Sequence, residues 1–357
     1  MPGVHTFYDG SKLLAPLVPY IGLDSDKLLN LNLLCCQLIS IPIACAFRRY
    51  LKPRAGSNTL RLLIPPLIGF VFCYFCFGRA VKHIIGLISF SYLLLLFSPV
   101  QYVGLLVFTY AMGYLVFMHW LWLNFKLQVK LFRYRWIYLG SYQLDITVCY
   151  LLGPMVMVMV QKVTLLAFSL HDGSQRYSAK RIFEAIILGE VPSILAYLSY
   201  LFKFQTILAG PLSIYTDYID YINGTGELYG KIEFFKAVPS PFWAAFKKLL
   251  TAFCFGVLIY RYADFSEPEQ IISPKAFTMP FYQWLGLFFV LIQLLLICCH
   301  FSADAVCNLS GFGFNGFAEN EPKWDKITNV DAWKVETALS FKDTLDGWNI
   351  TTMQWLR

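Results

Sequence analysis

The chain is divided into apolar runs of about the 20 residues that an α-helix needs to cross the hydrocarbon core of a bilayer. The first, residues 28–47, is followed at once by Arg48, Arg49, Lys52 and Arg54. Residues 62–78 contain Pro65-Pro66 and end on Arg79 and Lys82. Residues 84–97 form a short run, and Ser98-Pro99 separates it from residues 100–125, which lead into the basic stretch 126–135. Residues 147–170, 192–212, 242–260 and 280–300 complete the set. In hydrocarbon every backbone N–H and C=O must be satisfied internally, and continuous apolar runs of this length do so as helices. The fold class expected is therefore all-α and polytopic.

Composition agrees. Hydrophobic residues make up 57% of the 357 residues and charged ones 14%, against about 25% charged in soluble domains. Two or three soluble domains of this total length would lack the polar residues to cover their surfaces. Aromatics reach 18%, in keeping with Trp and Tyr at membrane interfaces. The net charge of +7 comes from Lys and Arg beside the apolar runs, a pattern suited to anionic headgroups and not to nucleic acid. Most of the ten cysteines lie inside apolar stretches and read as small hydrophobes, not as a disulfide or metal framework. No metal site is expected. The N-terminus lacks the charged, apolar and small-residue regions of a signal peptide.

If every run crossed once, the two most basic loops would lie on opposite sides, contrary to the positive-inside tendency. A re-entrant hairpin at residues 84–97 repairs this, giving seven to nine helices at membrane depth. Three parts are expected: an N-terminal segment (1–27), a helical scaffold (28–160) and a functional core (161–357). In the core, polar, Gly-rich and Pro-rich stretches interrupt the apolar runs. Broken helices in lipid must be buried in protein or line a cavity, so an intramembrane chamber is expected there.

Asp145, Lys162, Lys203, His300 and Asp304 lie in or beside candidate spans, where a charge normally faces an interior. Lys162 and Lys203 either do so or snorkel to an interface. His300 and Asp304, one turn apart, would suit a proton relay or a metal, but a satisfied core histidine near the helix end is the favoured reading. Gly311-Phe-Gly313-Phe-Asn-Gly316 spells G-x-G-x-x-G, but it follows a membrane run and precedes a polar loop, so a dinucleotide site is rejected in favour of a close turn. Asn223, Asn308 and Asn349 head formal glycosylation sequons, a pattern short enough to arise by chance.

The segment Phe341–Arg357, with Trp348, Asn349 and Trp355, resembles the signature of the membrane-bound O-acyltransferase family. Other stretches agree in order: Gln161-Lys162-Val163-Thr164 through His171-Asp172-Gly173, then Ala209-Gly210-Pro211-Leu212-Ser213. Gly311–Gly316, Lys323-Trp324-Asp325 and Trp333–Thr337 resemble the lysophospholipid acyltransferase branch. The resemblance runs from Gln161 to Arg357; the first 160 residues match only in being apolar.

The resemblance implies a helical bundle of broken and re-entrant helices around a chamber. It also implies transfer of an acyl group from acyl-CoA, as co-substrate and with no cofactor, to a lysophospholipid hydroxyl in the endoplasmic reticulum membrane. Its implied catalytic Asn matches Asn349. Gly210, Pro211, Ser213, Trp348, Trp355 and Arg357 are the expected substrate-binding residues. Each also has a structural reading: Gly210-Pro211 ends a helix, Ser213 caps the next, and Trp348 and Trp355 pack from one helical face. Lys342 and Arg357 would suit CoA phosphates. The family's histidine lies in a W-H-G motif that none of His5, His83, His119, His171 and His300 occupies before Arg357. A hydroxyl nucleophile needs a base worth about 10²–10⁴ in rate. The expectation is accordingly a C-terminally truncated chain with little turnover. The alternatives are a non-catalytic short form that binds lipid or acyl-CoA, or a transporter, the latter disfavoured because the halves show no repeat.

Overall fold

The computed structural model describes residues 10–18, 20, 28–53, 58–131, 142–174, 191–208, 210–225, 240–262, 302–319 and 321–356. Five long helices come first: α1 (Leu28–Tyr50), α2 (Thr59–Phe77), α3 (Val81–Phe97), α4 (Val100–Leu131) and α5 (Tyr142–Ser174). Four stretches among the described residues are long and apolar enough to cross a membrane: Leu28–Tyr50, Thr59–Phe97, Val100–Trp120 and Leu152–Asp172. Leu34, Leu38 and Ile39 on α1, Val71 on α2, and Leu105 and Val116 on α4 stand exposed on their outer faces. Such faces need hydrocarbon for solvent. The chain is an all-α polytopic membrane protein.

A single 3-10 turn, Gly78–Ala80, joins α2 to α3. Gly78 has φ 54, a left-handed value that glycine adopts without a Cβ penalty, and it interrupts the Thr59–Phe97 stretch there. The run expected at 84–97 begins earlier, at Val81, and has 17 residues, about 25 Å at 1.5 Å per residue. Small residues set the helix spacing. A Cβ at Gly104 on α4 would come within 2.8 Å of the Phe168 ring on α5, so the two helices lie close, with Val103, Val107 and Ala111 in the core beside Val156, Val163 and Ala167. Helix α5 passes unbroken through residues 160–161, so the scaffold and core parts share one helix.

The second half is interrupted, as its Gly and Pro content led one to expect. The apolar run 192–212 is not one span. Helix α6 occupies only Ile194–Phe202, capped by Ser193, whose side chain accepts from the Ala196 N–H. Residues 203–208 then turn without forming a helix. Their backbone is buried against protein, with Phe204, Gln205, Thr206 and Ile207 nearly inaccessible. The interruption falls on Lys203, Gln205 and Thr206, polar residues within the run, ahead of Gly210-Pro211.

Helix α7 (Tyr215–Asn223) ends on Gly224 in the left-handed conformation, and α8 covers Phe242–Tyr262. Helix α9, residues 302–310, leads into the glycine-rich turn. A short antiparallel pair follows, β1 (Phe317–Ala318) with β2 (Glu321–Pro322), Phe317 opposite Pro322. A helix before the glycines and a hairpin after them is the reverse of a dinucleotide-binding unit, as expected. Gly311 and Gly316 both take positive φ, and a Cβ at Gly313 would meet Asn308 Oδ1 at 1.8 Å. Three short helices close the described chain: α10 (Ala332–Thr337), α11 (Phe341–Gly347) and α12 (Ile350–Leu356). Asp331 and Ser340 cap the first two. The run 280–300, with His300, lies outside the described residues, as do Ala209 and Arg357.

Candidate functional site

Asn349 sits at the break between α11 and α12 with φ 49. Asparagine tolerates this left-handed value better than most residues because its side chain can bond locally. The break corrects one expectation. Trp348 and Trp355 do not share a helical face, because α11 ends at Gly347 and Asn349 turns the chain before α12 begins.

The Asn349 side chain is held from two sides. Its Oδ1 accepts from Asn329 Nδ2 at 2.8 Å and from the Thr352 hydroxyl at 2.9 Å. Asn329 is buried. Its own Oδ1 accepts from the Thr351 N–H at 2.8 Å and the Thr351 hydroxyl at 2.6 Å, and its backbone carbonyl accepts from the Ile350 N–H at 2.8 Å. Gln161 Nε2 on α5 donates to the Thr352 hydroxyl at 3.1 Å, which directs that hydroxyl's proton onto Asn349. The Asn349 Nδ2 takes part in none of these bonds, and the residue is partly exposed. An amide whose oxygen already accepts two hydrogen bonds is polarised, which strengthens its N–H groups as donors.

Helix α12 is fastened to α5 a second time. Trp355 Nε1 donates to the Thr164 hydroxyl at 2.9 Å, and the indole lies 6.5 Å from the Phe108 ring of α4. Gln161 and Thr164 are three residues apart and so lie on one face of α5. Lys162, between them, points elsewhere. Its Nζ donates to the Leu201 carbonyl at 3.1 Å and the Thr206 hydroxyl at 3.2 Å. The stretch Gln161–Thr164 thus holds α12 on one side and the irregular turn after α6 on the other.

Beyond Lys162 lies a second buried cluster. Lys203 donates to the Ser213 hydroxyl, and its Nζ lies 4.9, 4.6 and 4.9 Å from the Tyr200, Tyr218 and Phe312 ring centres. Aromatic faces attract a buried cation in this way. Both lysines are fully buried, so of the two readings left open the interior one holds. Ser213 is not a cap: the residue before α7 is Ile214, with no side-chain cap bond, because the Ser213 hydroxyl is taken by the buried Lys203. Gly210 does not end α6 either, since that helix stops at Phe202. Gly210 instead packs on the turn, where a Cβ would come 2.2 Å from Thr206 Cα, and Pro211 is buried beside it.

The expected site residues therefore fall into two groups joined by α5: Trp348, Asn349 and Trp355, and Gly210, Pro211 and Ser213. Lys342 is exposed. Asp304 forms an ion pair with Lys248 at 2.6 Å and accepts from Thr328 at 2.8 Å, both through Oδ2, while its buried Oδ1 has no hydrogen-bond partner among the described residues; its expected companion His300 lies outside them. The described histidines are engaged elsewhere: His83 with Tyr114, His119 with the Leu115 carbonyl and His171 with Asp172. Sequence reasoning missed Asn329 and Gln161 as partners of Asn349. Gln161 opened a quoted motif; Asn329 sat in a polar loop with no periodicity to mark it.

Comparison with known proteins gives the family. The model of the MBOAT, membrane-bound O-acyltransferase family, matches residues 105–357. Lysophospholipid acyltransferase 6 of Drosophila melanogaster is 34% identical, with 98% of this chain and 48% of the relative aligned. Membrane-bound glycerophospholipid O-acyltransferase 1 of Mus musculus is 32% identical, with 98% of this chain and 70% of the relative aligned. Lysophospholipid acyltransferase of Schizosaccharomyces pombe is 27% identical, over 56% of this chain and 41% of its own length. The chain thus spans about half the length of the fly protein. The likeness reaches well before Gln161, into the scaffold where the sequence reading found only shared apolarity.

Proposed function

The chain belongs to the membrane-bound O-acyltransferase family, and from that premise we propose that it transfers an acyl group from acyl-CoA to the free hydroxyl of a lysophospholipid. The reaction takes place in the endoplasmic reticulum membrane and uses no cofactor, with residues 161–357 forming the acyltransferase core that carries Asn349 but not the family's W-H-G histidine. The curated relatives are named for lysophospholipid or glycerophospholipid acylation. The observation that carries the reading is the Asn349 amide, whose oxygen is occupied by Asn329 and Thr352 and whose NH₂ is left open.

Acyl transfer builds negative charge on the thioester oxygen as the hydroxyl attacks. A preorganised N–H donor aimed at that oxygen stabilises the transition state more than the ground state. Asn349 serves in that role and cannot be the base, because an amide does not titrate near neutral pH. Trp355 and Gln161 hold α12 against α5 and so keep the donor in place. Trp348, beside Asn349, belongs to the wall around the reactants, while Gly210, Pro211 and Ser213 support the site through the buried turn packed on the other side of α5. Lysophospholipid reaches such a site from the bilayer.

The test is an assay of the full-length protein in microsomes from cells lacking their own lysophospholipid acyltransferases, with radiolabelled acyl-CoA and lysophospholipid. Esterification above an empty-vector control is expected, and Asn349→Ala should lower it about 10²–10³-fold, the usual loss for one such donor. A wild-type rate equal to the control would overturn the proposal.

A further inference from the structure

We propose that Asn329 is a positioning residue that fixes which end of the Asn349 amide faces the reactants. The inference rests on the acyl-transfer reading above and deepens it. A side-chain amide presents an oxygen or an NH₂ depending on a half-turn about its last bond, and the surrounding donors and acceptors decide which. Here the decision starts from the backbone. The Thr351 N–H can only donate, so the Asn329 atom 2.8 Å from it is the oxygen. The Thr351 hydroxyl donates to the same oxygen at 2.6 Å. The other end of Asn329 is then its NH₂, which donates to Asn349 at 2.8 Å. That contact makes the facing Asn349 atom an oxygen and turns its Nδ2 outward. Thr352, whose hydroxyl oxygen accepts a hydrogen bond from Gln161, adds a second donor to the same oxygen.

Asn329 is suited to transmit this order. It is only 2% exposed, so water does not compete for its amide. Its carbonyl also accepts from Ile350 N–H at 2.8 Å, just past the left-handed Asn349. The chain 329–331 is pinned to the same break again, since the Asp331 N–H donates to the Gly347 carbonyl at 3.0 Å. One buried side chain therefore holds both the backbone turn and the amide orientation of Asn349.

Asn329→Asp separates orientation from mere packing, because it keeps the shape and removes the NH₂. One carboxylate oxygen still accepts from Thr351. The other carries no proton, so it repels the Asn349 oxygen and draws Nδ2 inward, leaving an acceptor where the donor stood. The experiment measures kcat and KM in microsomes for the wild type, Asn329→Asp, Asn349→Ala and the double variant. The expected result is that Asn329→Asp lowers kcat about 10²–10³-fold, as loss of the donor itself would, with the KM for acyl-CoA nearly unchanged. The double variant should be no slower than Asn349→Ala alone. If the buried carboxylate prevents folding, seen as loss of a cooperative melt in detergent, Asn329→Ala carries the same comparison. Thr352→Val, which removes the second donor to the Asn349 oxygen and leaves Asn329 in place, should then give a smaller kcat loss. Wild-type kcat in Asn329→Asp, or a loss that adds in full to that of Asn349→Ala, overturns the inference alone. A wild-type protein without turnover removes this inference together with the proposed function.

Discussion

Lys248 has three acceptors at once: Asp304 at 2.6 Å, the Trp324 carbonyl at 2.8 Å and the Thr328 hydroxyl at 3.2 Å. The side chain draws α8, α9 and the loop after β2 to a single point. Asp304→Ala leaves the Lys248 charge buried without its counter-charge, and breaking a buried pair in this way costs about 3–5 kcal/mol. A fall in melting temperature in detergent should report it. Lys248→Met combined with Asp304→Leu should recover most of the loss, since apolar pairs of similar volume often replace buried ion pairs without penalty. Asp304 was singled out by its place beside an apolar run, but Lys248 was not, since 56 residues separate the partners. The same limit applies at the candidate site. Asn349 stood out through its motif, whereas the dependence on Asn329 arises from a left-handed turn that no residue pattern announces.

Two glycines show what the elements ask of each other. A Cβ at Gly69 on α2 would come 1.7 Å from the Phe202 carbonyl oxygen at the end of α6. Gly69→Ala must push the two helices apart, and overpacking of this kind costs about 1–3 kcal/mol. It also shifts Lys203, the next residue, and with it the turn that carries Gly210 and Pro211. Gly86 on α3 has nothing within 4 Å of where its Cβ would go. Gly86→Ala should leave stability unchanged or raise it by up to about 1 kcal/mol through helix preference. Thermal melts of the two variants check the contrast, and equal melting temperatures would contradict it. The long helices of the first half were legible because hydrocarbon demands length and apolarity together. The nine-residue α6 was hidden inside a longer apolar run, and α11 and α12 read as one helix because tryptophan spacing carries no sign of a left-handed residue between them.

For the molecule as a whole, apolar residues face outward on α1, α2 and α4 while Lys162 and Lys203 lie inside. This arrangement inverts a water-soluble fold and predicts integral association with membranes. Alkaline carbonate washes should leave the protein in the pellet, and only detergent should release it; recovery in the carbonate supernatant would contradict the arrangement. The overall class was readable from the sequence because the demand that lipid makes on backbone polar groups leaves few solutions. The pairing of helices was not, because it depends on which glycines admit a neighbour's backbone.

The burial of Lys162 also bears on how the protein is made. Its acceptors, the Leu201 carbonyl and the Thr206 hydroxyl, lie 39 and 44 residues downstream. Ribosomes add about 5–20 residues per second, so α5 emerges seconds before its partners exist. Alone in lipid, its ammonium costs about 2.5–3.5 kcal/mol on insertion scales. Helix α5 should therefore linger at the translocon until α6 and the turn beyond it arrive, and leave with them as a unit. In a glycosylation-mapping assay of nascent chains, Lys162→Leu should let α5 integrate earlier than the wild-type segment does. Identical timing for the two would show that this lysine sets no order on assembly.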